Sequence, residues 1–283
     1  MSSHCFDIKT TIDRRTTVQL QSLLLGIYEH YGYDFRDYAM GTLKRRIIER
    51  MHKEQVESLP ALLEKVRYDS ACLHRLVDDL LITVSTMFRN PSFFLAFRET
   101  VIPQLRDYPF IRIWHIGCGK GEEVYSMAIL LHEEGLYHKC RLYATDMNEK
   151  ALQDAQRAIY PLKQMQTYTR NYFESGGRGA FSQYYTAKYG HVIFRPWLKK
   201  NILFSKHNVS ANRSFNEFHV ILCRNVMIYF NRSLKGRVHR LIYDSLNHHG
   251  ILAVGQRESI RFTPHEPCYN VVNDREKVYR KVR

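Results

Sequence analysis

The chain has 283 residues, 45% hydrophobic and 25% charged, which suits one large or two smaller globular domains. No apolar run approaches the roughly 18 residues that span a bilayer, and Met1 to Arg15 hold no apolar core of signal-peptide length, so a cytoplasmic protein without membrane insertion is expected. The net charge of +14 is unevenly placed: residues 1–82 carry 12 basic and 12 acidic side chains and 83–150 carry 8 and 8, but 151–215 carry 10 and 2 and 216–283 carry 12 and 6. The second half should therefore attract an acidic partner, and composition does not choose between nucleic acid and an acidic protein surface. The six cysteines form no C-x-x-C and the histidines no H-E-x-x-H, so no metal site is expected.

In chain order, residues 16–82 read as four short helices. Leu20, Leu23, Leu24, Ile27 and Tyr28 recur at three and four, then Leu43, Ile47, Ile48 and Met51. Leu59, Leu62, Leu63 and Val66 follow, opened by Ser58 and Pro60 at cap-like positions, and a fourth stretch runs from Ala71 to Leu81. This gives a small all-helical domain over residues 1–82 and a linker over 83–108.

From residue 109 the pattern alternates strand and helix. Ile111–Ile116 is a β-rich run, followed by the turn Gly117-Cys118-Gly119-Lys120-Gly121 and a helix from Glu122 to Glu134. Arg141–Thr145 is a strand ending at Asp146, and Asn148–Ala158 the next helix. Ile202–Phe204, Phe218–Cys223 and Ile251–Val254 read as strands, Leu234–Asn247 as a helix stopped by Gly250, and Tyr269–Val272 with Lys277–Val282 as a terminal hairpin. Alternation predicts an α/β domain over 109–283: a mostly parallel, doubly wound seven-stranded sheet closed by an antiparallel hairpin. Residues 168–200, rich in glycine and tyrosine and poor in acids, break it and read as a small β insertion.

Strand, glycine turn, helix and an acid closing the next strand make a nucleotide-binding constellation. Glycines let the backbone approach a ligand, and an acid some 20–30 residues on accepts from ribose hydroxyls; Gly117 to Asp146 spans 29 residues. Two acids, Glu122 and Glu123, open the helix. They would repel a pyrophosphate, whereas one could pair with the ammonium of S-adenosylmethionine.

Four motifs, Ser85-Thr86-Met87-Phe88-Arg89-Asn90-Pro91, Gly117 through Ser126, Ala144-Thr145-Asp146 and Cys223 through Phe230 (CRNVMIYF), together resemble the chemotaxis receptor glutamate methyltransferases, the CheR family. The last is highly specific, and the match spans roughly residues 20–280. The resemblance implies a helical N-terminal domain joined to a class I, Rossmann-like methyltransferase domain with a β insertion. It implies S-adenosylmethionine as cofactor, leaving as S-adenosylhomocysteine, and methyl esters on receptor glutamates as product. By position, Thr83, Ser85 and Arg89 would face the cofactor and Gly117 would lie beneath it. Glu123 would hold the methionine amino group and Asp146 the ribose; Asn208-Val209 and Asn225-Val226 would flank the adenine. Arg89 and Tyr229 would serve at the methyl-transfer site. Lys120, Val124, Met87 and Gln256-Arg257 depart from the family's common pattern, and Lys120 puts a cation in the glycine turn.

A glutamate acceptor is already ionised at neutral pH and needs no general base, consistent with a chain that shows no nucleophile set. Lys44, Arg45, Arg46, Arg50 and Lys53 lie on one expected helix, where positions 46, 50 and 53 share a face. The resemblance makes Arg46, Arg50 and Lys53 a docking surface for acidic chemoreceptor helices, with the enzyme acting as a monomer. Two rivals stand beside this reading. A nucleic-acid methyltransferase suits the charge, but the chain lacks the N/D-P-P-Y/F motif of exocyclic-amine methylation. A non-catalytic, cofactor-binding scaffold suits the altered glycine turn, against Glu123, Asp146, Arg89 and Tyr229 taken together.

Overall fold

In the computed structural model, which describes residues 14–81, 85–209 and 214–283, contacts divide the chain into two units, Met1–Leu81 and Ile82–Arg283. The first holds the four expected helices: α1 (Arg14–Tyr31), α2 (Met40–Glu54), α3 (Leu59–Tyr68) and α4 (Ser70–Leu80). Each turns an apolar stripe inward, Leu20, Leu24 and Ile27 from α1, Leu43 and Ile47 from α2, Leu62 and Val66 from α3, and Leu73, Leu76 and Val77 from α4. The caps explain where two of them start. Ser58 Oγ accepts from the Ala61 N–H at 3.3 Å with Pro60 in the first turn, and Asp69 Oδ1 accepts from Ala71 and Cys72 N–H at 2.9 and 3.0 Å.

The expected linker, as far as it is described, is no linker. It carries α5 (Pro91–Thr100) and the single turn α6 (Ile102–Leu105) within the second unit. Phe93, Phe94 and Phe97 of α5 are fully buried, and Phe94 meets the Phe88 ring edge-on at 5.2 Å. That aromatic stripe anchors the segment into the core.

The remainder runs β1 (Ile111–Ile116), α7 (Glu122–Glu133), β2 (Cys140–Asp146), α8 (Glu149–Arg157), β3 (Ile159–Pro161), α9 (Met165–Glu174), β4 (Tyr185–Lys188), β5 (His191–Phe194), β6 (Ile202–Lys206), β7 (Phe218–Cys223), α10 (Arg232–Ser245), β8 (Leu246–Val254), β9 (Tyr269–Asn273) and β10 (Val278–Lys281). Seven strands form one sheet in the order β6-β2-β1-β7-β8-β10-β9. The first five are parallel, and β10 is antiparallel to both its neighbours. This is the expected architecture. Every residue of β7 is buried, as a central parallel strand covered on both faces requires.

The insertion starts earlier than its composition suggests. β3, β5 and β4 make a separate antiparallel sheet, and β3 lies at residues 159–161, ahead of the expected 168–200. α9 starts at Met165 and runs to Glu174, so the first residues of the expected span are helix rather than strand. The β4–β5 hairpin closes through Tyr189 (φ 50°) and Gly190 (φ 73°), the paired positive φ of a tight two-residue turn. Likewise, α10 ends at Ser245 and β8 begins at Leu246, because Leu246 already pairs with Phe218 before a register shift. Among the described residues no helix is long and apolar enough to cross a membrane.

Candidate active site

The sequence-predicted cofactor residues converge where an open α/β sheet places ligands, at the carboxyl ends of its parallel strands. β1 runs into the glycine turn, β2 ends at Asp146, β6 leads to Asn208 and Val209, and β7 leads to Arg224 through Tyr229. The backbone ties these ends together. Cys118 N–H donates to the Thr145 carbonyl at 3.0 Å, and His207 N–H to the Asp146 carbonyl at 3.1 Å.

Gly117 (φ 66°) packs against Val226 of the loop that follows β7. A Cβ there would lie 2.5 Å from Val226 Cγ2, so the glycine turn and the NVMIYF loop touch with no room for a side chain. Asp146 Oδ2 accepts from Gly119 N–H at 2.8 Å and Oδ1 from Asn148 N–H at 2.9 Å. Burial pushes its carboxyl above the usual range, against the pull of these N–H groups. The Lys120 side chain lies toward α8, 3.7 Å from Asp154, and its carbonyl accepts from the Tyr160 hydroxyl at 2.7 Å. Its charge is thus partnered by an acid in α8.

Glu123 is paired more tightly than the sequence indicates. Oε2 accepts from Arg224 Nη1 at 2.8 Å, and Oε1 lies 3.2 Å from His115 Nδ1. Burial raises this carboxyl, but the His115 hydrogen bond and the Arg224 charge outweigh it and hold it below its ordinary value. Arg224 itself is buried, its guanidinium 3.7 Å over the Phe93 ring, with Nη2 reaching the Arg89 carbonyl at 3.5 Å and Asn90 Oδ1 at 3.3 Å. One cation thereby joins the STMFRNP segment, the start of α7 and the end of β7. Its neighbour Glu122 faces elsewhere: it is buried, and Oε2 has no hydrogen-bond partner. Burial lifts its carboxyl to about 7.

Ser85 and Tyr229 are half-buried, whereas the Arg89 side chain is exposed and has no acidic partner among the described residues. Thr83 lies outside the described residues. Three contributors were not singled out from sequence: Arg224, His115 and Glu258. The last accepts backbone N–H groups from the loop of Asn225 and Val226. Arg224 stood inside the CRNVMIYF motif, so the motif was the available signal. His115 in the middle of an apolar strand, and an acid four residues beyond the apolar run of β8, were weaker ones.

The docking face requires correction. Arg50 is buried, donating to Asp79 Oδ2 at 2.8 Å and to Glu54 Oε1 at 3.3 Å. Arg46 Nη1 donates to the Asp79 and Leu80 carbonyls at 3.1 and 3.0 Å, at the C-terminal end of α4. Helical periodicity put these cations on one face correctly, but α4 covers that face. Of the three, only Lys53 is largely exposed, 3.9 Å from Asp79.

The donor set fits S-adenosylmethionine. Gly117 admits no Cβ, Asp146 offers carboxylate oxygens at the end of β2, and Glu123 and Arg224 provide one charge of each sign. Comparison with known proteins agrees. Residues 83–276 match the family model described as CheR methyltransferase, SAM binding domain, and residues 19–81 the CheR methyltransferase all-alpha domain. The chain is 41% identical to "Putative methyltransferase Cher3" of Pseudomonas putida, over 96% of this chain and 99% of that one. It is 27% identical to an uncharacterized 104.1 kDa protein of Rhodobacter capsulatus, over 88% of this chain and 26% of that one. It is 29% identical to "Chemotaxis protein methyltransferase" of Listeria innocua, over 81% and 85%. The chain belongs to the CheR methyltransferase family, and its cofactor is S-adenosylmethionine.

Proposed function

We propose that this CheR-family methyltransferase forms methyl esters on glutamate side chains of chemoreceptor cytoplasmic helices. The observation that carries the reading is the Arg89 guanidinium, exposed and without an acidic partner among the described residues, on a segment whose backbone is tied through Arg224 to Glu123. An unengaged guanidinium beside a cofactor site is suited to orient an incoming carboxylate by charge-assisted hydrogen bonds. Bound S-adenosylmethionine supplies an electrophilic methyl group. The acceptor carboxylate is ionised at neutral pH, so the chain's task is alignment and removal of water rather than proton transfer. Glu123 would hold the methionine ammonium, since a carboxylate has about four acceptor positions and only two are used. Asp146 would hold the ribose, Asn208-Val209 and Asn225-Val226 would flank the adenine, and Tyr229 would stand by the methyl group. The name of the Listeria relative supports a chemotaxis substrate.

The test is incubation with labelled S-adenosylmethionine and purified receptor cytoplasmic fragments. Base-labile label on the protein is expected, and label on added RNA instead would replace the reading. In the same assay Arg89→Ala should lower turnover roughly tenfold or more while leaving cofactor affinity near the parent value. Turnover within about twofold of the parent removes Arg89 from the acceptor site.

A further inference from the structure

Glu258 follows β8, and its buried carboxylate meets four backbone donors. Oε2 accepts from Asn225 N–H at 2.8 Å and Gly255 N–H at 2.6 Å; Oε1 accepts from Val226 N–H at 2.9 Å and Ile228 N–H at 3.2 Å. A buried carboxylate is costly unless its oxygens are satisfied, and here backbone N–H groups do so. None of these N–H groups is taken up by a helix or sheet hydrogen bond. Asn225 turns through φ 62°, Val226 stands before the short 3-10 turn Met227–Tyr229 and Ile228 is its middle residue. Without the carboxylate their N–H groups would be orphaned beneath the loop. The fit leaves no slack, since a Cβ on Gly255 would stand 2.6 Å from Glu258 Oε2 and 2.9 Å from the Asn225 nitrogen.

We propose that Glu258 is a positioning residue that sets the cofactor-facing loop Asn225–Val226 and the Tyr229 turn as one body. The inference rests on the placement of S-adenosylmethionine over Gly117 and beside Asn225. Val226 leaves no room for a side chain at Gly117, so a small shift of the loop closes or opens the cradle directly. Because Ile228 is held by the same carboxylate, the turn bearing Tyr229 moves with it. The carboxylate touches neither reactant and acts through backbone geometry alone.

Glu258→Gln isolates this role. Each oxygen serves two donors, so whichever way the amide flips, its NH2 faces two N–H groups and two hydrogen bonds are lost. Glu258→Asp keeps both oxygens but is one methylene short. The control is Glu134→Gln, another buried acid of the same unit, paired with Arg98, Arg106 and Arg178 rather than with loop backbone. Calorimetric titration with S-adenosylhomocysteine is run beside thermal melts of all four proteins. Glu258→Gln should weaken binding about tenfold or more, and Glu258→Asp by less. Glu134→Gln should lower the melting temperature yet keep affinity within about twofold. Folded Glu258→Gln with parental affinity overturns the proposal, as does an equal loss in Glu134→Gln. If Glu258→Gln does not fold, parental affinity in Glu258→Asp overturns it. A parent that binds no S-adenosylhomocysteine overturns the cofactor site itself, whereas a parent that binds while both Glu258 variants match it overturns only this role.

Discussion

The acids that hold the helical unit together and the acids that shape the strand-end loops of the second are satisfied differently, although elsewhere in the second unit Glu123, Glu133 and Glu134 also meet arginines. In the helical unit acids meet side-chain cations: Glu54 takes Arg50, Lys65 and Arg75, and Asp79 takes Arg50 and Lys53. At the strand ends of the second unit, Asp146 and Glu258 meet backbone N–H groups. A cation on a long side chain ties one helix to another and tolerates small shifts of either. A backbone N–H can be reached only if the loop itself has the right course. The first kind of pairing therefore holds elements together, and the second fixes the shape of loops that must present a surface to a ligand. Glu122 belongs to neither class, since it is buried with an unpartnered oxygen.

The largest effect should come from breaking the first kind of pairing. Arg50→Ala leaves Glu54 to Lys65 and Arg75 and Asp79 to Lys53, so the cost should fall at about 3 kcal/mol, the low end of the range for breaking a buried pair. Urea unfolding of the parent and variant measures it. A loss under about 1 kcal/mol, the scale of a surface pair, would return Arg50 to a solvated face.

Glu122 and Glu54 are shifted in opposite directions. Hydrogen bonds from Arg75 and Lys65 hold Glu54 down at about 2, so its contribution is present above the ordinary carboxylate pKa of 4.5 and is lost as pH falls toward 2. Glu122 is raised by burial from 4.5 to about 7, so the native state binds the extra proton and stability falls as pH rises across that window. Glu122→Gln removes the ionisable group. Its advantage over the parent should grow between pH 4.5 and 7 by on the order of 3 kcal/mol and then level off. Melting curves that run parallel for parent and variant across that window would show that the Glu122 carboxyl is solvated or partnered.

Breaking the second kind of pairing should cost less stability and more affinity. Asp146→Ala removes the acceptor for Gly119 and Asn148 as well as the proposed ribose contact, and should weaken S-adenosylhomocysteine by roughly 1.5–3 kcal/mol. Unchanged affinity by calorimetry takes Asp146 out of the site.

Helix periodicity found α1 to α4, and a short apolar strand before three glycines found β1, its turn and α7, because those signals are local. β3 was missed since three residues ending in proline become a strand only by pairing with β5. α5 leaves no separate helix signal, because its opening at Asn90 and Pro91 falls inside the STMFRNP motif. Arg50 was misplaced because α4, 29 residues on, supplies the acid that buries it. Glu258 carries no such signal because three of its four donors lie 30 to 33 residues upstream, in backbone that no side-chain pattern marks. Pairings between side chains leave some trace in charge patterns, whereas pairings between a carboxylate and a loop leave almost none.

The smallest effect concerns what remains of the docking face on α2. Lys53 is 60% exposed, and at 3.9 Å from Asp79 it contributes little to holding the helices together. Lys53→Glu should therefore change stability by no more than about 0.5 kcal/mol. If α2 meets acidic receptor helices, the same change should slow methylation of a receptor fragment at low salt, and the difference should vanish as screening grows, since rim charges mainly set encounter rate. Arg45, also exposed and 3.9 Å from Glu49, should behave alike. Rates with equal salt slopes in parent and variant would leave α2 with a purely internal role. The docking surface would then be sought within residues 151–283, whose 22 basic side chains against 8 acidic ones account for the whole net charge of +14. Charge reversals there should change the salt slope where Lys53→Glu did not.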